Sequence, residues 1–288
     1  MAPRTWVASL ASQGDDPNPG SRTAPCRTFS GVLPKTDAGG EIDAIDPGGY
    51  DPVTINKSIL IDGTTGSGFA SILAPRSSAI VIKAGVNDVI VLRNLSLNGV
   101  GSGVSGIHIV SAARVIVENC VISGFQSSTG GIGIHDERTA DSTLSVVDTK
   151  ISNNNLGVVI ETTGTGVLRS VFDNVRVYGN ILHGIRIANG ARSVISQSVI
   201  SNNVSDGIIA EQAAGATGVN INTCVISGNG VGIRVTGGLP TGRLNNSLVA
   251  NNGTGILLTS GVVRTYGNNR IIDNGAGNAA TPGNLPYG

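Results

Sequence analysis

Two short apolar phrases recur along this chain, and they recur in step. The first is Gly-Ile-x-Ile or a close variant. It starts at Gly106, Gly131, Gly157, Gly184, Gly207, Gly232 and Gly255, at intervals of 25, 26, 27, 23, 25 and 23 residues. That is the period of a supersecondary repeat. The second phrase ends in Gly or Asn and starts at Cys120, Thr149, Val175, Ser198, Cys224, Ser247 and Arg270. A third apolar patch falls between them, at Val89/Val91, Val115/Val117, Leu144/Val146, Val194, Val219/Ile221 and Leu244.

Each unit of ~25 residues thus holds three short strands and three turns. Alternation sends one set of side chains inward and the other outward. A unit this short cannot bury its apolar side alone, so units must stack and close a shared core. Strands then pair in parallel between successive coils. The expected fold is all-β, a single-stranded parallel β-helix of about nine to ten coils. An antiparallel sandwich would not keep the two phrases in phase. The 42 glycines in 288 residues oppose long helices and suit the corners, where glycine and asparagine tolerate positive φ. Asn153/Asn154, Asn202/Asn203, Asn229 and Asn251/Asn252 fall at one corner, where stacked carboxamides can form a ladder.

The chain divides into a cap over 1–40, the β-helix over 41–274 and a tail over 275–288. In the cap, Trp6-Val7 reads as a short strand and 14–20 as a turn-rich loop. Phe29, Val32 and Leu33 have the spacing of a short amphipathic helix laid across the first coil. The tail offers Leu285, Pro286 and Tyr287 as cover for the last coil.

The order Trp-Val-Ala, Gly-Asp-Asp-Pro-Asn-Pro-Gly, Ala-Pro-Cys-Arg-Thr-Phe, then 39–50 (GGEIDAIDPGGY), resembles the N-terminal cap of the pectate-lyase-like superfamily. The later coils resemble its parallel β-helix repeats. The resemblance covers nearly the whole chain and implies a right-handed helix. It also implies polysaccharide as a partner, calcium as a possible cofactor, and an extracellular or cell-surface location. Met1 to Leu10 does not read as a signal peptide. Shared fold does not carry shared function, however.

Other classes are excluded on composition. Nineteen basic and nineteen acidic residues without a basic cluster oppose nucleic-acid binding. No apolar run approaches the ~18 residues of a membrane span, so no membrane insertion is expected. Three cysteines, Cys26, Cys120 and Cys224, give no disulfide scaffold or metal spacing. The loop at Asp15-Asp16 offers two carboxylates, an incomplete calcium shell, and reads as a turn.

The outer face of the Gly-Ile-x-Ile sheet is the candidate site. Its x column reads His108, Gly133, Val159, Arg186, Ile209, Arg234, Leu257, and the next reads Val110, His135, Glu161, Ala188, Glu211, Thr236, Thr259. Glu161 and Glu211 fall two coils apart, about 9.6 Å between backbones, near the carboxyl separation of inverting glycosidases. In that reading they are acid and base, and Arg186 binds a sugar acid. A lyase reading instead uses Arg186 or Arg234 as base, with calcium. His108, His135, Arg234 and Asp136 are the expected substrate-binding residues. The bland alternative is a solvated network in which Arg186 bridges Glu161 and Glu211. His183 reads as a corner residue. On the Asn-ended strand, Val199, Val225, Leu248 and Ile271 form an expected outward apolar stripe, a possible homo-oligomer contact alongside the C-terminal end. The favoured function is a β-helix acting through its surface, in a structural, adhesive or assembly role or in carbohydrate binding. The alternative is a lyase or glycosidase for an acidic polysaccharide.

Overall fold

Strands of each coil pair in parallel with their counterparts in the next, building three sheets of eleven, nine and ten strands. The computed structural model describes residues 1–9, 13–64, 68–212, 215–238 and 240–278. The expected tail contacts of Leu285, Pro286 and Tyr287 lie outside the described residues. The chain forms a right-handed parallel β-helix with one short helix, Phe29–Val32, near its N-terminus. No described helix is long and apolar enough to cross a membrane.

The first strand, Ala2–Val7, pairs with Thr36–Ala44 and so extends the eleven-stranded sheet by one strand. Thr28 caps the helix, its hydroxyl accepting from Gly31 N. Asp16 clamps this turn: its carboxylate accepts from Arg27 N, Thr28 N and Thr28 Oγ1 at 2.9–3.0 Å. Phe29 and Tyr50, both fully buried, stack as a tilted pair 5.2 Å apart and fill the end of the core.

The core is a set of stacked aliphatic columns. In the nine-stranded sheet Ile107, Ile134, Val158, Ile185, Ile208, Ile233 and Ile256 lie in register. In the ten-stranded sheet the column runs Leu97, Ile122, Ile151, Val177, Ile200, Ile226, Val249, Ile271. Ile271 therefore points inward and packs on the core. Arg270 takes the outward rung after Leu248, so the apolar stripe ends after Val199, Val225 and Leu248. In the eleven-stranded sheet Val115, Val117, Leu144, Val146, Val219, Ile221 and Leu244 are buried, but Val89 and Val194 face out. Ile90, Leu92 and Ile195 take the inward rungs there, with Ser170 and Ser193 hydrogen-bonded to each other inside at 2.6 Å.

Two corners are tied along the axis by side chains. At one, Asn154, Asn180, Asn203, Asn229, Asn252 and Asn274 are buried in a single file. Each of the first five donates through both its backbone N and its Nδ2 to the Oδ1 of the next, at 2.8–3.2 Å. Phe125 N donates to Asn154 Oδ1 and starts the file. At the other corner Thr149, Ser198 and Ser247 accept the amides of Cys120, Val175 and Cys224. The residues turning both corners have positive φ and are mostly not glycine: Asn153, Asn202 and Asn251 at the first, Asn119, Asp148, Asn174, Gln197, Thr223 and Asn246 at the second. The glycine opening each Ile-x-Ile strand serves another purpose. A Cβ at Gly184 would lie 2.5 Å from Gly207 O and 2.9 Å from Asn203 Nδ2, so the column needs glycine for close approach of neighbouring coils.

Removing the Asn203 side chain leaves the buried Asn180 N–H and Asn180 Nδ2 without their acceptor, at about 1–3 kcal/mol each. Asn203→Ala is therefore expected to lower unfolding free energy by about 2–6 kcal/mol. Asn202→Gly, at the adjacent positive-φ position, is expected to change it by less than about 1 kcal/mol. Urea midpoints of the two variants check this contrast.

Candidate functional site

The outer face of the nine-stranded sheet carries most of the ionisable side chains singled out in the sequence. Strands Ser105–Ser111, Ile132–Asp136, Leu156–Glu161, Ile185–Ala188, Asp206–Glu211 and Val231–Thr236 lie side by side there. The register aligns His108, His135, Val159, Arg186, Ile209 and Arg234 in one outward column. Gly133 is not in it. Ile107 pairs with Ile134, so the repeat opens at Gly133 in this coil, two residues later than the sequence phrase suggests. His135 consequently stacks on His108, with ring centroids 5.1 Å apart and planes 6° from parallel. The next column holds Glu161, Ala188, Glu211 and Thr236, as the spacing predicts.

The same register turns Asp136 inward, on the rung between Ile109 and Ile160. Its carboxylate is fully buried and meets Arg138, itself only 2% exposed. Arg138 Nε and Nη2 donate to its two oxygens at 2.8 and 2.6 Å, and Nη1 donates to Ala112 O at 3.1 Å. Asp136 is thus an internal ion pair, corrected from its expected place at the rim of a binding surface. A charge on an aliphatic rung requires such pairing.

Arg186 joins the two glutamates. Its Nη1 donates to Glu161 Oε2 at 2.8 Å and its Nε to Glu211 Oε1 at 2.7 Å, while Nη2 also reaches Glu211. All three side chains are about one-quarter exposed. His135 Nε2 lies 3.5 Å from Glu161 Oε1 and 3.9 Å from Glu137 Oε2. These are ion-pair distances without hydrogen-bond geometry, and the buried Nε2 atom has no hydrogen-bond partner. His108 Nε2 is hydrogen-bonded to Glu137 Oε1 at 2.8 Å. The result is one polar row: His108, Glu137, His135, Glu161, Arg186, Glu211. The neighbouring His135 imidazole, working against burial and assisted by Arg186, holds the Glu161 carboxyl down at about 2. Burial disfavours the Arg186 charge, but the two carboxylates outweigh it and raise its pKa.

A second group adjoins the row. Asp206, with its side chain 1% exposed, accepts from Arg234 Nε at 2.7 Å, and His183 Nδ1 lies 2.8 Å from its other oxygen. His183 is therefore more than a corner residue, and Asp206 is absent from the sequence-derived candidates. A histidine and an aspartate on consecutive rungs, 23 residues apart, were the available signal. Burial would raise the Asp206 pKa, but the contacts with His183 and Arg234 prevail and hold it below its ordinary value. Beyond Glu161 and Ala188, the turns at 162–167 and 189–192 frame a cleft of about 590 Å³, lined by Thr162, Thr165, Val167, Asn189, Arg192 and Ala216.

The donor sets do not fit calcium, which takes six to eight oxygens. Asp16 is committed to the cap turn, and Glu161 and Glu211 are committed to Arg186. Among the described residues, the nearest approach to a ligand set is His108, His135 and Glu137.

These features define a parallel β-solenoid with an ordered ionic row on one outer face. The chain belongs to the family described as "Right handed beta helix region", whose model matches residues 78–240 and 139–284, more than half its length. Its fold is similar to that of the Azotobacter vinelandii mannuronan C-5 epimerase AlgE4 A-module, at 18% identity and a TM-score of 0.54, covering 82% of this chain and 80% of that one. It is similar to pectate lyase Pel9A, at 15% identity and a TM-score of 0.52, over 98% and 81% of the two chains. It is also similar to the enzymatically active domain of bacteriophage CBA120 tailspike protein 2, at 14% identity and a TM-score of 0.51, over 82% of this chain and 44% of that one. No curated protein matches the sequence.

Asp206 makes a prediction about acid stability. Its lowered pKa contributes stability above the unfolded aspartate value of about 3.9, lost as pH falls through the lower folded value. Asp206→Asn is expected to be less stable than the parent at pH 7, with the gap narrowing below pH ~4. Urea unfolding of both proteins from pH 7 to pH 3 checks it; a gap independent of pH would contradict it.

Proposed function

We propose that the outer face of the nine-stranded sheet binds a neutral polysaccharide without cleaving it. The observation that carries this reading is the Arg186 bridge. An inverting glycosidase needs one carboxylic acid holding a proton and one free carboxylate with room for water between them. Here Glu161 and Glu211 share one guanidinium, which fills that space, and Glu161 is held ionised. A lyase needs a base, and Arg186 and Arg234 are engaged as cations by carboxylates. The pairing leaves neither glutamate and neither arginine poised for proton transfer.

The same pairing suits recognition. Paired carboxylates and guanidinium groups present fixed acceptors and donors to sugar hydroxyls, on rungs that repeat about every 4.8 Å along a linear chain. Glu137, Glu161, Asp206 and Glu211 stand against Arg186 and Arg234, so the row carries no excess of positive charge to attract an acidic glycan. The sequence-level reading of Arg186 as a sugar-acid ligand is therefore replaced by Arg186 as an organiser of two acceptors. The fold neighbours named as a mannuronan epimerase and a pectate lyase support a carbohydrate as the ligand class. The charge of this face selects the neutral kind. Adhesion to a glycan-bearing surface is the role such a face serves.

The test is calorimetric titration with neutral and acidic oligosaccharides, followed by product analysis. Saturable binding of a neutral oligosaccharide, its recovery uncleaved, and at least a roughly tenfold loss of affinity in Arg186→Met are expected. Cleavage products, binding of acidic glycans alone, or an unchanged affinity in Arg186→Met would overturn the reading.

A further inference from the structure

We propose that His108, His135 and Glu137 form a binding site for a divalent transition cation such as zinc. This goes beyond the glycan reading and does not depend on it. Two imidazoles and one carboxylate are a donor set suited to zinc and its first-row neighbours, and poorly suited to calcium or magnesium. Each side chain offers one ligand atom, and the three atoms lie within 4.8 Å of one another.

Two further observations point to an ion. The first is His135 Nε2, a buried polar atom with no hydrogen-bond partner. An unsatisfied buried nitrogen costs about 1–3 kcal/mol; His183 Nδ1 is likewise without a well-formed hydrogen bond but has a carboxylate at 2.8 Å, whereas His135 Nε2 has none nearer than 3.5 Å. His108 is satisfied by Glu137 at 2.8 Å, whereas His135 stands 3.9 Å from that carboxylate and 3.5 Å from Glu161. The second is rigidity. Both histidines sit on strands, in direct register on adjacent coils, and their rings stack 6° from parallel. Strand positions hold ligands more firmly than loops do.

Coordination requires a modest change. Ligand atoms about 2.0–2.1 Å from a tetrahedral ion are ~3.3 Å apart, so the two rings pivot toward each other and Glu137 exchanges its hydrogen bond with His108 for a bond to the metal. The imidazoles bind through Nε2 as neutral rings with their proton on Nδ1, and any Nε2 proton passes to solvent. Three protein ligands leave a fourth position open. The side chains are 16–34% exposed, so the ion enters from solvent. Glu161 stays with Arg186 and supplies negative charge beside the site.

The experiment uses the full chain without a tag, stripped with chelator, titrated with zinc by calorimetry and with cobalt(II) by visible absorption. One ion per chain is expected. His135→Ala and Glu137→Gln are each expected to weaken binding by at least about 10–100-fold. His183→Ala, which removes the remaining histidine, is expected to bind as the parent does. Circular dichroism of each variant establishes that it is folded. No saturable uptake by the parent, or affinity equal to the parent's in folded Glu137→Gln or His135→Ala, would overturn the site. Loss of uptake in His183→Ala would overturn it as well, by placing the ion elsewhere.

Discussion

The buried asparagine file is the interaction on which the rest depends. Backbone pairing alone fixes the distance between coils but tolerates slippage along the strands, and a slip of one residue exchanges every inward side chain for an outward one. Each ladder asparagine removes that freedom by gripping the next through a carboxamide oxygen that accepts twice. The file needs coils close enough for the carboxamides to meet, and this is why the neighbouring column is glycine. One coil before the file begins, packing of Ile107 on Ile134 places His108 on His135. The ionic row on the outer face is thus a consequence of how the interior is locked.

That row shows a balance of opposing terms. Burial disfavours every charge in it, yet each charge has a partner within reach, and the pairs that are most buried are also the most completely bonded. Asp136 with Arg138 lies inside, with both carboxylate oxygens occupied. Glu161, Arg186 and Glu211 lie at the surface and share bonds without exclusive pairing. Within the row His135 keeps a buried nitrogen without a hydrogen bond, as does His183 beside Asp206.

The fold was legible because its signals repeat. Two phrases in phase establish coils, and the asparagines establish a corner. Individual rungs were less legible. Gly131-Ile132-Gly133-Ile134 contains the Gly-Ile opening twice, and only packing of Ile134 on Ile107 selects the second copy. That two-residue shift moves His135 beside His108 and turns Asp136 inward. Ile271 lies one residue away from the outward position that its phrase suggests. Counting four back from each ladder asparagine gives Val199, Val225, Leu248 and then Arg270, so the ladder itself carries the correct register. The neighbours Glu161, Ala188 and Glu211 were placed correctly because the phrase is unambiguous in those coils. The pairing of Asp206 with Arg234 runs diagonally across the rungs, and column alignment does not reveal diagonal contacts.

The central claim is that ligands meet this protein at the outer face of the nine-stranded sheet, along the row from His108 to Arg234. Arginine side-chain NMR tests it most directly, because the Nε–H groups of Arg186 and Arg234 are each held by a carboxylate. On saturation with a bound neutral oligosaccharide, the Nε signals of Arg186 and Arg234 are expected to shift, while those of Arg169 and Arg243 on the eleven-stranded sheet stay in place. Shifts confined to Arg169 and Arg243 would contradict the account.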